Sequence, residues 1–283
     1  MIFHFFEPKF RFIYQSLKFC ILSLFYQQRF QYIRCVRLSE ELKLYVIKVI
    51  PWKNSRKFYL ARMSRYPRYT RGIEYMQDSL LESYSLRLTE VKNFRNIIDV
   101  GTQEGIFLSA VERLVPQCRV LGIELERAEY LCSLLNSNGK DTLVVNAGAW
   151  NEDGIAQFES LPISGDSSLI HHGMSNKFRW IQTLKIDTLA TDYFGLNVID
   201  CIKLDAEGAE VEVLMGARNT LLRTRFVSVD VGPERGPNQE STKEEVNVFL
   251  KSVGFNAIRW GSIRDTVLFK NANLDSEHDT DAD

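Results

Sequence analysis

The chain has 283 residues, of which 45% are apolar, 12% aromatic and 25% charged. At about 100–200 residues per domain, that length holds one sizeable domain with an extension, or two small ones, and the composition excludes a collagen-like repeat or a wholly disordered chain. The 35 Lys+Arg and 36 Asp+Glu nearly cancel, yet residues 1–72 hold 15 basic and 3 acidic residues, leaving 20 and 33 for the remainder; a basic head on an acidic body suits an anionic partner.

The first 30 residues are apolar and aromatic, but Glu7, Lys9, Arg11, Lys18 and Arg29 interrupt them. The longest clean stretch, 19–26, is far short of the roughly 20 residues that span a bilayer, and no secretory cleavage pattern follows. Ile13, Leu17, Cys20, Ile21, Leu24 and Phe25 recur at helical spacing, and Leu42, Val46, Val49 and Ile50 predict a second helix over 41–50. From 53 to 71 basic residues alternate with aromatics: Arg56, Lys57, Phe58, Tyr59, Arg62, Arg65, Tyr66, Arg68, Tyr69, Arg71. Three readings fit this head. It can cover the main domain as packed helices, lie on an anionic membrane surface, or bind nucleic acid through arginines and stacking rings. Cys20, Cys35, Cys118, Cys132 and Cys201 are scattered without CxxC spacing. That pattern is neither a disulfide framework nor a zinc site, and it favours a reducing cytoplasmic setting, with the head free to touch the inner face of a membrane.

From Asn96 the pattern becomes regular. Strands are predicted at 96–100, 119–124, 142–146, 198–204 and 226–231, and helices at 106–114, 127–136, 207–218 and 243–253. Strands alternating with helices at this spacing argue a doubly wound parallel sheet. Residues 255–260 and 266–269 read as two more strands. The 261–265 connection is too short for a crossover, so this pair must be antiparallel. A doubly wound sheet finished by such a hairpin resembles the outline of the S-adenosylmethionine-dependent methyltransferases. The division that follows is a basic, mainly helical extension over 1–90, a cofactor-binding domain over 91–272, and an acidic tail over 273–283 that is expected to be disordered.

The turn after the first body strand reads Asp99-Val-Gly-Thr-Gln-Glu-Gly105, a D-x-G-x-x-x-G. Its glycines let the backbone bend sharply, and the following helix aims free N–H groups at the same point. Gln103 stands where the dinucleotide fingerprint needs its second glycine. Glu124 ends the next strand at the distance where a carboxylate can accept both hydroxyls of an adenosine ribose; Glu126 competes for that role. The fourth strand runs into Lys203-Leu-Asp-Ala-Glu-Gly-Ala-Glu. Asp205 and Glu207 should lie beyond the carboxyl end of that strand, where open α/β sheets bind ligands, although Asp205 also suits a helix N-cap and Glu207 a helix dipole.

These residues resemble the FkbM-type methyltransferase family. The matching segments are 99–105, Glu124, Ser167-Ser168-Leu169, 183–189 around Asp187, and 203–217, the last being the specific block. The resemblance spans roughly 96–269 and leaves the basic head outside. It implies a class I, Rossmann-like methyltransferase fold with S-adenosylmethionine as cofactor. It also implies methyl transfer, usually to a hydroxyl, with sugars, glycans and lipid-linked saccharides as common acceptors. It supports Asp99, Gly101, Gly105 and Glu124 around the cofactor; Thr102, inside the glycine turn, and Asn146, last of the third strand, are placed beside them. It puts Asp205 and Glu207 at the reacting end. Departures are Glu104 at a usually apolar position, Leu125 where a proline is common, and Asp230 where Glu is usual.

A sugar hydroxyl is far too weak an acid to lose its proton unaided near pH 7, so a base or a metal is needed as the bond forms. The candidates are Asp205, Glu207 and His171 of the His171-His172 pair, which sits in a long insertion of the kind that often caps active sites. A metal site assembled from His171, Asp187 and Asp205 is conceivable, but no ligand spacing on a single element supports it, so no metal ligand is assigned. The expected partners are a small-molecule or glycan acceptor and an anionic membrane surface met by residues 1–72. An RNA methyltransferase using the head for nucleic acid, and a non-catalytic binding module on the same fold, are the alternatives.

Overall fold

The computed structural model describes residues 31–37, 43–49, 56–69, 71–137, 139–161, 167–171, 173 and 176–274. The chain divides into two compact units, Met1–Gln77 and Asp78–Asp283.

In the first unit, β1 (Gln31–Arg37), β2 (Lys43–Val49) and β3 (Arg56–Leu60) form an antiparallel sheet in that order. The helix predicted over 41–50 is therefore a strand. The run Lys-Leu-Tyr-Val-Ile-Lys-Val is rich in β-branched residues, and so short an apolar run satisfies both periods. The helix predicted around 13–25 lies outside the described residues. A short 3-10 helix, Met63–Tyr69, follows with Pro67 inside it. Arg62, Arg65 and Tyr69 are buried and Arg68 and Arg71 exposed, so the arginine-aromatic stretch is not uniformly presented to solvent. Helix α1 (Ile73–Ser83) carries the chain into the second unit.

The second unit continues with α2 (Leu88–Val91), β4 (Asn96–Val100), α3 (Ile106–Leu114), β5 (Arg119–Glu124), α4 (Arg127–Asn136) and β6 (Thr142–Asn146). An insertion holds β7 (Gly148–Ala149), β8 (Gly154–Glu159), β9 (Phe178–Leu184) and α5 (Ile186–Phe194). Then come β10 (Ile199–Leu204), α6 (Glu210–Met215), α7 (Arg218–Leu221), β11 (Thr224–Asp230), β12 (Pro233–Arg235), β13 (Glu240–Ser241), α8 (Lys243–Ser252), β14 (Phe255–Trp260) and β15 (Thr266–Asn271).

Seven strands make the main sheet in the order β14-β15-β11-β10-β4-β5-β6. The pairs among β11, β10, β4, β5 and β6 are parallel, and β15 runs antiparallel to both β11 and β14. The chain winds outward from β4 to β6, returns to β10 on the other side of β4, and so leaves a crevice between the carboxyl ends of β4 and β10.

Alternate residues of each strand face opposite sides. Ile97, Val120, Val144 and Cys201 pack with Phe107, Leu108 and Val111 on one side, and Leu81, Tyr84, Leu86 and Phe94 share that cluster. Leu81, Tyr84 and Leu86, which the sequence division at residue 90 leaves in the head, are thus core residues of this unit. Ile98, Leu121, Ile202 and Val227 pack with Phe194, Leu214, Leu221 and Leu250 on the other side. Burial of both faces is what a parallel sheet requires.

The helix predicted over 207–218 is broken in two. Glu207 and Gly208 both take positive φ, +51° and +91°, so the chain turns before α6 begins at Glu210. The helix ends at Met215 with Gly216 as its cap, where a Cβ would lie 2.0 Å from the Trp150 carbonyl oxygen, so only glycine fits. The insertion, irregular by sequence, forms a small sheet in the order β7-β9-β8.

Candidate active site

The glycine turn is built by close approach. Gly101 has φ +73°, and a Cβ there would sit 2.1 Å from the Asp205 carbonyl oxygen; at Gly105, φ +79°, it would sit 2.9 Å from Ser133 Cα. The absence of side chains thus lets the loop lie against the end of β10 and against α4. Beneath the loop, Lys203 Nζ donates to the Val100 and Gly101 carbonyls at 3.0 and 2.7 Å and pairs with Asp99 Oδ1 at 3.0 Å. Asp99 is fully buried; burial raises its pKa and Lys203 opposes that rise.

Above the loop a cleft opens, lined by Gly101, Gln103, Glu124, Leu125, Ala147 to Ala149, Ser167 to Leu169, Asp205 and Glu207, among others. Glu124 is fixed at its edge: Oε2 accepts the Gln103 amide at 2.7 Å and Oε1 the Glu126 amide at 2.8 Å. The two backbone amides fix the direction of the carboxylate. Glu126 also lines the cleft, but its Oε1 accepts the hydroxyls of Ser160 and Ser167 at 2.6 and 2.7 Å. It ties the insertion to the cleft wall. Ser168 donates to the Glu207 carbonyl at 2.7 Å, fixing the turn before α6.

Of the sequence-predicted residues, Gly101, Glu124, Asp205 and Glu207 line this cleft. Asp99, Thr102, Gly105 and Asn146 are not among its lining residues. Asn146 donates from Nδ2 to the Glu124 and Leu125 carbonyls at 2.8 and 3.1 Å, holding the strand-end backbone. Glu104 is buried away from the cleft. His171 is exposed, its ring 4.9 Å from that of Phe178, and it lines no cleft described here; His172 lies outside the described residues. Asp187 binds the Thr220 amide and hydroxyl at 2.7 and 2.8 Å, so it caps α7 rather than approaching Asp205.

Asp205 does not cap the following helix. Its carboxylate accepts the Tyr84 hydroxyl and meets Arg264 Nη2 at 3.2 and 3.4 Å. Arg264 also contacts Asp230 through Nε, donates from Nη1 to the Tyr84 oxygen at 2.7 Å, and lies 3.9 Å from Glu234. Asp205, Asp230 and Glu234 bring ligand-type oxygens within 4.8 Å of one another. Burial, then the Asp205 charge, raises the pKa of Asp230 and of Glu234; burial also raises Tyr84. Burial alone would lower Arg264, but its acidic neighbours outweigh that and raise it. A second, open cleft is lined by Asp230, Gly232, Glu234 and the 261–265 turn with Arg264. Asp205 therefore lines the first cleft while its carboxylate contacts the wall of the second. Tyr84, Glu234 and Arg264 carried no signal in the sequence; each stands on a different element, far from the glycine and acid motifs.

The turn before α6 depends on Glu210. Its Oε1 accepts the Ala206 and Gly208 amides, both at 3.1 Å, and its Oε2 accepts the Thr242 hydroxyl at 3.0 Å. Burial pushes its pKa up to about 7.

A seven-stranded sheet of this order with an antiparallel last strand, and a glycine turn and strand-end acid at its switch point, defines a class I, S-adenosylmethionine-dependent methyltransferase. The sequence matches the methyltransferase FkbM domain over residues 99–257, and the chain belongs to that family. No curated protein matches it in sequence. Solved structures similar to it include an S-adenosylmethionine-dependent methyltransferase from Aquifex aeolicus (16% identity, 70% of this chain and 95% of that one, TM-score 0.40). They also include the Methanococcus jannaschii fibrillarin pre-rRNA processing protein (14%, 86% and 94%, 0.43). Human N-acetylserotonin methyltransferase in complex with S-adenosylmethionine is a third (13%, 70% and 54%, 0.40).

Proposed function

We propose that the protein methylates a hydroxyl of a sugar, glycan or lipid-linked saccharide, with Asp205 as the proton acceptor. One observation carries this reading: Asp205 lines the Glu124 cleft, and its carboxylate pairs with Arg264, which lines the open cleft. S-adenosylmethionine supplies an already activated methyl, so the protein's task is to align the acceptor and take its proton. In this reading Glu124 holds the ribose hydroxyls, with the apolar walls Ile123, Leu125, Ala149 and Leu169 around the base. The acceptor enters past Asp230 and Glu234. As the O–CH3 bond forms and the S–CH3 bond breaks, the hydroxyl proton passes to Asp205, with Glu207 in the same cleft as the second candidate. A sugar acceptor is supported by the carboxylates and the guanidinium of the open cleft, which suit several hydroxyls.

The basic head, in the same reading, holds the enzyme at an anionic membrane surface. Among the described residues no helix is long and apolar enough to cross a membrane. Arg68 and Arg71 are exposed, and replacing both by Gln should weaken co-sedimentation with anionic vesicles; unchanged binding refutes the docking role.

The decisive experiment combines calorimetric binding of S-adenosylmethionine with methyl transfer from a labelled donor to glycans, lipid-linked saccharides and RNA in parallel. The expected result is labelling of a saccharide pool, abolished by Asp205→Asn, with Glu124→Gln weakening cofactor binding about tenfold or more. Labelling of RNA alone would replace the saccharide reading.

A further inference from the structure

The 261–265 turn delivers one side chain into an acidic enclosure. The turn is pinned on both sides: Gly261 donates to the Thr266 carbonyl at 2.8 Å, Thr266 to Arg264 at 2.8 Å, and Val231 to Asp265 at 2.8 Å. From it, Arg264 reaches Asp205 at the end of β10, Asp230 at the end of β11, Glu234 in β12 and Tyr84 after α1. Three carboxyl groups with oxygens within 4.8 Å of one another cannot all ionise without a cation among them. Among the described residues the guanidinium is the cation that touches all three. Tyr84 fixes the arrangement further, since its hydroxyl donates to Asp205 while accepting from Arg264. An arginine presents its donors in a rigid planar fork, so it sets the direction of a carboxylate as well as balancing its charge.

We propose that Arg264 is the positioning residue of the reacting end, the protein's own cation in a three-carboxylate cage, filling the place a divalent cation would otherwise take and holding Asp205 at the cofactor cleft. The catalytic part of this assignment rests on the proposed role of Asp205; the occupancy of the cage does not. Removing the guanidinium leaves Asp205, Asp230 and Glu234 as an oxygen-donor set of the kind that takes Mg2+ or Mn2+. A lysine in its place keeps a positive charge and should keep the cage closed to metal.

The test is a Mn2+ titration of the full-length chain, read by the paramagnetic resonance of the free ion, with S-adenosylmethionine affinity measured on the same samples. Wild type and Arg264→Lys should show no stoichiometric uptake. Arg264→Ala should bind one Mn2+ per chain at least about tenfold more tightly than wild type, and Asp230→Asn in that background should abolish it. A simple packing role for Arg264 would not create a metal site that Lys closes again. If the Ala variant does not fold, Arg264→Met carries the same comparison. Uptake by wild type as tight as by the variant overturns the proposal. So does a variant that binds S-adenosylmethionine like wild type yet takes up no Mn2+. Because no methyl acceptor is needed, an error in the saccharide reading leaves this result unaffected.

Discussion

Replacing Lys203 by Met tests whether the buried ion pair under the glycine turn holds the loop. Lys203 is 3% and Asp99 0% exposed at the side chain, and the ammonium makes three contacts: Asp99 at 3.0 Å and the carbonyls of Val100 and Gly101. Met keeps most of the chain's volume, so no large cavity forms, but an uncompensated buried carboxyl remains. Breaking a buried pair by removing one partner costs about 3–5 kcal/mol. With an m-value near the upper end for small proteins, about 3 kcal/mol per molar urea, the midpoint should fall by about 1–1.7 M. Asp99→Asn in the same chain removes the stranded charge and should recover at least half of the loss. The sign with pH is fixed as well. Burial already raises Asp99, and without Lys203 it rises further; a raised carboxyl in the folded state is stabilised by its proton. The deficit of Lys203→Met should therefore shrink as pH falls from about 8 to about 5, where protonation relieves the buried charge. A single variant within about 1 kcal/mol of wild type, or a deficit that grows on acidification, refutes the account.

Glu210 makes a second pH prediction. Its pKa of about 7, against an ordinary 4.5, means the folded state loses stability as pH rises between these values, by up to about 3 kcal/mol. Glu210→Gln keeps the acceptor for the Ala206 and Gly208 amides, so its stability relative to wild type should improve from pH 5 to pH 8 in urea titrations; a flat difference counts against it. Gly101→Ala combines a left-handed backbone with a clash against the Asp205 carbonyl, and should cost about 2–5 kcal/mol and weaken S-adenosylmethionine binding. Gly236→Ala, also at positive φ but with nothing within 4 Å of the added Cβ, should cost only the conformational part, about 1–2 kcal/mol. Equal losses at the two positions would refute the close-approach account.

The body of the fold was legible because its central strands are buried on both faces. Asn96–Val100, Arg119–Glu124 and Ile199–Leu204 are short apolar-rich runs between turn residues, and few other structures accommodate them. The insertion was not legible. In β8 and β9 the large apolar residues Ile155 and Trp180 are 74% and 70% exposed, so no inward-outward alternation marks the strands. The 43–49 strand was misread as helical because seven residues cannot separate the two periods. At the site, Gly101, Glu124 and Asp205 stand in local motifs whose spacing is itself the signal. Tyr84 and Arg264 are 121 and 59 positions from Asp205, and only the assembled sheet makes them neighbours.

The distribution of buried acids separates scaffold from site. Asp99 is as deeply buried as any of them, but it is closed in by Lys203 and lines no cleft described here, which is how a structural ion pair behaves. Asp205, Asp230 and Glu234 are different. They crowd one place at the carboxyl ends of β10 and β11, burial and then the Asp205 charge raise the pKa of the other two, and they border open space. Well-packed apolar residues would serve stability better at such positions. Groups of like charge held together at a stability cost, in the crevice where an open α/β sheet binds its ligands, mark a candidate site. Arg264 limits that cost while leaving Asp205 at the Glu124 cleft, so the same guanidinium that makes the acidic cluster tolerable also sets the direction in which its first member points.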